Sequence, residues 1–200
     1  MADLYNRLSN VLLSPRDIKN YYRLLNRRLV LRNWSATPTG ETRCRVCADF
    51  AERMSHLPQC SRIGEVFTRL HKLASACTHQ HPINEPFIML GWQHDGFLPS
   101  TLSVLHIVLW KFVIISLTRI ELHGEKWDTQ AIWRQAIYRT RTRIMAHSEG
   151  VRRWVMARWT KGEGIPEAVL QRWNRQVYPL ATYTERGELS WTVRLDENAA

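Results

Sequence analysis

Three cysteines and one histidine within 17 residues constrain this chain more than any other feature. Two residues separate Cys44 from Cys47, eight separate Cys47 from His56, and three separate His56 from Cys60. Two cysteines at the first spacing form a tight knuckle that presents two thiolates to one ion, and the second pair completes a tetrahedron. The pattern therefore predicts a closed Cys3His site for a structural zinc ion, with no coordination position left for water.

The histidines near this cluster leave the ligand set partly open. His71, His79 or His81 could replace one ligand, although each lies farther from the knuckle. His79 and His81 could also form a metal pair of their own or belong to a solvated loop. Cys77 has no partner at motif spacing, so we predict that it is a small buried apolar side chain. Three arginines beside the ligands are expected to offset the negative charge of the thiolates: Arg43, Arg45 and Arg62.

Apolar residues recur at helical spacing along most of the chain, which predicts a mainly α-helical protein. The first helix begins at Ser14, which forms a capping box with Asp17, and it is expected to end near residue 33. The helix that begins near residue 128 either continues to Trp159 or breaks at Gly150. The other predicted helices span residues 61–76, 100–122 and 166–177.

The remaining segments are expected to be irregular or extended. Residues 77–99 contain many turn-forming residues and are predicted to be a connector. Alternating apolar residues at the end of the chain predict one strand or extended arm: Leu189, Trp191, Val193 and Leu195. We therefore expect a mainly α, helical domain with an irregular Cys3His zinc knuckle between two helices and a short C-terminal extended segment. Residues 1–76 would form the zinc-binding module, and residues 77–200 a helical basic region that is either separate or packed with it.

The cluster and its surroundings resemble the zinc-binding domain that follows the polymerase in non-LTR retrotransposon reverse transcriptases. Three parts match in order: the basic amphipathic helix Asp17–Leu29, a C-x-x-C … E-x-x-x-H-L-x-x-C core over 44–60, and the apolar helix after it. Residues 14–73 are covered well, and residues 105–112 are similar to a helix that often follows in such proteins. The resemblance implies zinc binding and contact with RNA or DNA near a polymerase.

The resemblance implies nothing catalytic for this chain. The Tyr/Phe-x-Asp-Asp turn of polymerases is missing, and 200 residues are too few for a polymerase, so the chain is a fragment of such an element or a domesticated descendant. The H-x-E half of the zinc-deaminase signature occurs at His123 and His147, but the cysteine pair precedes both and lacks the required proline. Phosphate-binding loops, nucleophile elbows and H-E-x-x-H motifs are missing as well. We therefore expect a protein that is not an enzyme.

The charge of the chain points to a polyanionic partner. It contains 28 lysines and arginines against 18 acidic residues, a formal net charge of +10. Residues 134–161 carry +7, with Glu149 as the only acid, and the first helix carries +5. Arginine matches phosphate oxygens bidentately, which favours nucleic acid. The candidate nucleic-acid-binding residues are Arg23, Arg27, Arg28, Arg32, Arg134, Arg141, Arg152, Arg153, Arg158 and Lys161.

Tryptophans interleave with the second basic segment, as a stacking surface for unpaired bases would require. They are Trp127, Trp133, Trp154 and Trp159. We expect Trp133 in the core rather than on that surface. Within the segment, Arg152, Arg153 and Arg158 are expected to lack acidic partners within a turn or two and therefore to contact phosphate.

Together these observations favour a non-catalytic, zinc-stabilised nucleic-acid-binding module, with RNA preferred to DNA as the partner. The alternative is a structural protein of a large ribonucleoprotein, such as a mitochondrial ribosome, that binds rRNA and neighbouring proteins. A third class is a zinc-bearing protein–protein adaptor with incidental charge. We expect an intracellular protein, in the nucleus or the mitochondrion, because we find neither a signal-peptide pattern nor an uncharged run of about 18–20 residues.

Overall fold

The protein is built around one long apolar helix, against which most of the other helices pack. The computed structural model describes residues 10–26, 42–77, 83–93 and 96–193. The helices of this part of the chain are α1 (Pro15–Leu25), α2 (Ser61–Cys77), α3 (Glu85–Leu90), α4 (Ser100–His123), α5 (Thr129–Trp159) and α6 (Glu167–Val177). Two antiparallel sheets pair β1 (Trp92–Gln93) with β2 (Gly96–Phe97), and β3 (Ala181–Tyr183) with β4 (Leu189–Trp191). The predicted mainly α class is confirmed.

The first helix, α1, begins as the sequence predicts. The Ser14 backbone N–H donates to the Asp17 carboxylate at 2.9 Å, and the Ser14 side chain accepts from the Asp17 backbone, with Pro15 at the first helical position. This reciprocal capping satisfies backbone groups that the first turn would otherwise leave unpaired. The helix ends at Leu25, and the predicted continuation toward residue 33 lies outside the described residues.

The central helix, α4, is apolar on nearly every side, and it packs against α1, α2, α5 and α6. Its polar aromatic groups find partners inside the core. The indole N–H of Trp110 donates to the Ile88 carbonyl at 2.8 Å, and Nε2 of His106 lies 2.8 Å from the same oxygen. Gly124, with a φ of 63°, ends the helix, close to the predicted boundary at residue 122.

By length and composition alone, α4 would also be able to cross a membrane. In this protein, 67% of the most apolar 18-residue stretch of α4 is buried against other parts of the chain. A buried core helix carries the same apolar signature as a membrane span. The packing of four helices around α4 therefore explains why its sequence is apolar.

The longest helix, α5, continues through Gly150 for 31 residues, which decides between the two predicted possibilities. It begins at the predicted residue, because the Asp128 carboxylate accepts from the Ala131 N–H at 2.8 Å. Trp133 and Ile144 lie on its buried side, as expected for Trp133. Contacts of α5 with α4 and α2 supply the tertiary support that offsets one helix-interior glycine, a cost of about 1 kcal/mol.

Three helices meet at the buried carboxylate of Asp17. Lys111 of α4 places Nζ 2.8 Å from one carboxylate oxygen, and Arg143 of α5 donates to the other. Burial raises the pKa of Asp17, but hydrogen bonds from Lys111 and Ser14 outweigh burial and lower the pKa to about 2. The capping residue of α1 is therefore also the electrostatic link among α1, α4 and α5.

The C-terminal hairpin contains one predicted strand and one unpredicted strand. β4 confirms the expected C-terminal extended segment, whereas the sequence pattern predicts no strand at β3. The partner strand forms because Ala181 pairs with Trp191 and because Oδ1 of Asn174, in α6, accepts from the Tyr183 backbone N–H at 2.6 Å. Leu195, the last residue of the predicted alternation, lies outside the described residues.

The segment between α2 and α4 is more regular than the predicted connector. Asn84 caps α3 by accepting from the Phe87 backbone N–H at 2.9 Å, and Gly91 ends this helix with a φ of 61°. Phe87 and Ile88 are buried. The connector prediction is wrong for residues 85–90, because turn-forming residues on either side delimit a short helix with an apolar face.

Buried apolar side chains form one cluster that includes both predicted segments of the chain. Tyr21 and Phe67 contribute from the segment before residue 77, and Trp110 and Ile137 contribute from the segment after it. The Cys3His residues lie at the edge of this cluster, where Cys44 and Cys60 are themselves buried.

Candidate metal centre and basic surfaces

The first ligand pair lies in a short hairpin turn. Arg43 forms an antiparallel bridge with Ala51, and the Cys44 N–H donates to the Phe50 carbonyl at 2.7 Å. The chain turns back at Ala48, whose N–H donates to the Cys44 carbonyl at 2.9 Å and whose φ is 63°. This left-handed residue directly after the second cysteine lets the turn close tightly around the two sulfurs.

The second ligand pair lies at the start of α2. A 3-10 turn, Leu57–Gln59, joins His56 to Cys60, and Leu57 is buried in the core beneath it. The backbone N–H of Ile63, in the first turn of α2, donates to the Cys60 sulfur. Partial positive charge at a helix N-terminus stabilises a thiolate, so this position suits a metal ligand.

The structure brings the four predicted ligands together. Their ligand atoms all lie within 4.8 Å of one another. The sulfurs of Cys44 and Cys60 are 4.0 Å apart, and the Cys47 sulfur is 3.3 Å from Nε2 of His56. Bond lengths of a tetrahedral zinc site place two sulfurs about 3.8 Å apart, and a sulfur and a nitrogen about 3.6 Å apart. The donor set and the spacing therefore fit a four-coordinate metal ion.

Burial separates this cluster from an incidental group of surface residues. Cys44 and Cys60 are 1% exposed and His56 is 7% exposed, while Cys47 is half-buried. His71, which could have replaced one ligand, instead faces Phe87, with ring centroids 5.4 Å apart. His79 and His81 lie outside the described residues. Cys77, predicted to be buried, is half-buried at the end of α2.

The two buried sulfurs interact strongly. The hydrogen bond from the Cys60 thiol lowers the pKa of Cys44 to about 5, against the opposing effect of burial. The same bond, together with burial, raises the pKa of Cys60 well above its usual range. The contact therefore favours one proton shared between the two sulfurs. A divalent cation among the four ligands would replace that proton, because it stabilises both thiolates.

The arginines beside the ligands have a different role from the one predicted. The guanidinium group of Arg45 forms a buried ion pair with Glu52 and donates to the Leu117 carbonyl at 2.9 Å. Arg62 pairs with Glu65 at 3.4 Å, and Arg43 is exposed. The prediction that Arg45 and Arg62 neutralise the thiolates is wrong, because carboxylates already balance their charges. Arg45 instead fastens the knuckle to α4.

The first half of the basic helix α5 presents unneutralised arginines. Arg134, Arg139 and Arg141 are exposed, and no carboxylate of the described residues forms an ion pair with them. The guanidinium group of Arg141 lies over the ring of Trp191, 5.8 Å from its centroid. Stacking on an aromatic ring restricts a guanidinium group while leaving its N–H edge free to donate.

The second half of α5 differs from the prediction. Arg152 pairs with Glu149 at 2.9 Å and Arg153 approaches the same carboxylate at 3.8 Å, while Arg158 pairs with Glu163 at 2.9 Å. The hydrogen bond from Arg152 lowers the pKa of Glu149. The expectation that Arg152, Arg153 and Arg158 lack acidic partners is therefore wrong. Arg152 and Arg153 follow Glu149 by three and four residues, which places these side chains side by side on a helix, whereas Glu163 reaches Arg158 from the segment after α5.

The other candidate basic residues are divided between the surface and undescribed segments. Arg23 is exposed on α1, and Lys161 is exposed just after α5. Arg143, which contributes to the predicted charge of +7, is largely buried and pairs with Asp17. Three further candidates lie outside the described residues: Arg27, Arg28 and Arg32.

Most of the interleaved tryptophans are buried or half-buried rather than exposed as a stacking surface. Trp154 packs edge-on against Trp173 with centroids 5.0 Å apart, and Trp127 is half-buried. Trp159 is exposed at the end of α5. The alternation of Arg and Trp in the sequence therefore predicts more exposed aromatic surface than the structure has, because it includes residues from both the buried and the exposed face of the helix.

The H-x-E histidines do not join the cysteine cluster. Among the described residues, the Cys44–Cys60 group is the one set of three or more potential ligands close enough to hold an ion. Nδ1 of His147 instead lies 2.8 Å from the Tyr183 hydroxyl, and burial lowers the pKa of His147. The Glu149 of the same motif pairs with Arg152.

Comparisons with protein families, curated proteins and solved structures find no match to this chain. The resemblance to the reverse-transcriptase zinc-binding domain therefore stays a prediction that depends on its motif residues. The structure gives two of those motif residues, Glu52 and Leu57, a role in holding the fold together. Glu52 forms the buried ion pair with Arg45, and Leu57 fills the core beneath the turn between His56 and Cys60.

Proposed function

We propose that this protein is a non-catalytic RNA-binding module stabilised by one zinc ion. Cys44, Cys47, His56 and Cys60 would hold the ion, and a set of three thiolates and one imidazole matches the ligand preference of zinc. An ion held by four protein ligands has no open position for substrate, so its role would be structural. It would tie the 44–60 segment to the start of α2.

The zinc ion is tested by metal content. The purified full chain is expected to contain one zinc ion, and cobalt substitution should give the visible absorption of a tetrahedral thiolate site. Cys47→Ser should lower the metal content and the melting temperature. Cys77→Ser is the matched control, because Cys77 lies outside the cluster at the end of α2. A zinc-free wild type, or equal metal loss in both variants, would refute this part of the proposal.

RNA binding is supported chiefly by the exposed arginines of α5 that have no described acidic partner. Arg134, Arg139 and Arg141 lie within eight residues, so about two helical turns present three guanidinium groups to solvent. Exposed cations at this density repel one another, and a phosphate backbone relieves that repulsion. Arg23 on α1 and Lys161 after α5 add exposed positive charge.

Salt dependence tests this assignment. The affinity of the full chain for RNA should fall steeply as the salt concentration rises, because each phosphate contact releases a condensed counterion. Arg141→Gln should weaken binding and reduce the slope of log affinity against log salt. Arg172→Gln, on the exposed surface of α6, removes the same charge as a control. An affinity that is insensitive to salt, or an equal loss in the control, would contradict RNA binding through α5.

A structural role in a large ribonucleoprotein is the second candidate function. Phe50 of the knuckle and Leu122 at the end of α4 are 65% and 69% exposed, which favours burial against protein neighbours. Fractionation of native extracts, from either the nucleus or the mitochondrion, distinguishes the two candidates. Co-sedimentation with ribosomal particles would support the second, and free or polymerase-associated protein would support the first.

A further inference from the structure

The exposed side of α5 carries a line of apolar side chains. Tyr138, Met145, Met156 and Trp159 are 62%, 52%, 53% and 51% exposed, respectively. Successive residues of an α-helix turn by about 100°, so Tyr138 and Met156 point in the same direction and lie about 27 Å apart along the axis. Met145 and Trp159 point away from this direction by less than the 100° that separates successive residues. The four side chains therefore form one stripe along the helix, which the Glu149–Arg152 ion pair interrupts between Met145 and Met156.

Arginines alternate with the apolar side chains along this face and also flank it on one side. Arg134, Arg141 and Arg152 lie in the same sector of the helix as the apolar residues, at intervals of seven and eleven residues, and Arg139 and Arg153 lie on the flank. The face contains one carboxylate, Glu149, which Arg152 and Arg153 share. The face therefore has an excess of positive charge, which is greatest in the first half of α5.

We infer that this face of α5 binds single-stranded RNA, with bases on the apolar side chains of the stripe and phosphates on the arginines that alternate with them. The inference rests on the proposed function and specifies the form of RNA. Unpaired bases offer flat apolar surfaces next to a continuous row of negative charges, and the α5 face complements both. A duplex keeps its bases stacked inside, so it would contact the arginines and leave the stripe exposed to water.

Two residues divide the recognition between them. Arg141, held over the ring of Trp191, meets a phosphate with little further loss of freedom. Tyr138, one helical turn before Arg141, offers its ring to a base. Loss of the ring and loss of the charge should therefore have different signatures in binding experiments.

The test measures binding of the zinc-loaded full chain to an oligouridine of about 12 nucleotides and to an RNA duplex of the same length. The wild type should prefer the single strand. Tyr138→Ala should weaken single-strand binding about five-fold or more, because base stacking on an aromatic side chain is lost, and should leave the salt slope unchanged. Arg141→Gln should weaken binding to both RNAs and reduce the salt slope. Leu122→Ala, an exposed apolar truncation on α4, should change neither.

Two results would overturn the inference while leaving the proposed function intact. One is duplex binding as tight as single-strand binding, and the other is an unchanged affinity in Tyr138→Ala. In the latter case, the stripe would serve a protein partner instead. Failure of the wild type to bind either RNA would refute the proposed function together with this inference.

Discussion

Asp17→Asn should destabilise the protein more than the removal of any other helix-capping or surface charge. The reason is that Asp17 lies where three helices meet. The carboxylate of Asp17 is fully buried and contacts both Lys111 and Arg143. Asparagine keeps the size and much of the capping capacity of aspartate. The substitution therefore removes the negative charge and leaves two largely buried cations without their counterion.

The size of the effect follows from the pKa of Asp17. A pKa of about 2 in the folded protein, against 3.8 when unperturbed, corresponds to about 2.5 kcal/mol of stability at pH 7. Because the pKa is lowered on folding, this stability is present above pH 4 and is lost as the pH falls toward 2. At pH 3 it should be about 1.3 kcal/mol. The uncompensated cations in the variant raise the expected loss at pH 7 to about 3–5 kcal/mol.

Urea denaturation of both proteins at pH 7 and pH 3 measures this difference directly. Asp128→Asn is the control, because Asp128 caps α5 from an exposed position and asparagine is an equally good cap. It should change the free energy of unfolding by less than about 1 kcal/mol. A loss below 1 kcal/mol for Asp17→Asn at pH 7, or a loss that does not shrink at pH 3, would refute the role given to Asp17.

Three further substitutions test local features. Ala48→Gly should raise the free energy of unfolding by about 1 kcal/mol, because glycine adopts a φ of 63° without strain; unchanged thermal denaturation would argue against this geometry. Glu52→Gln should destabilise by about 3 kcal/mol without changing the zinc content, because Arg45 loses its buried carboxylate; full stability in urea would contradict the ion pair. Gly150→Ala should stabilise the interior of α5 by about 1 kcal/mol, whereas Gly187→Ala should destabilise, because its Cβ would lie 2.6 Å from Val155 at a φ of 76°; melting temperatures that move in the same direction would refute this pairing.

The helices and the ligand set could be predicted from the sequence because their signals are local. A capping box at Ser14, a capping carboxylate at Asp128 and a stop at Gly124 each act within one turn of the chain, so neighbouring residues suffice to predict them. The four ligands are likewise set by spacing, because a tetrahedral ion needs two close pairs. The short helix α3 was missed because turn-forming residues dominate its flanks.

The partners of charged side chains could not be predicted, because they depend on contacts between distant residues. Arg45 pairs with Glu52 and reaches α4, and Arg143 turns inward to Asp17, 126 residues away. The amino-acid composition does not distinguish among these arginines, whereas in the structure burial or an ion pair makes several of them unavailable to a partner molecule. The sequence alone thus determined where helices begin and which four side chains can hold a metal, since both depend on near neighbours. Only tertiary packing decided which arginines remain free to meet a phosphate, because a charge is neutralised by whatever the fold places beside it.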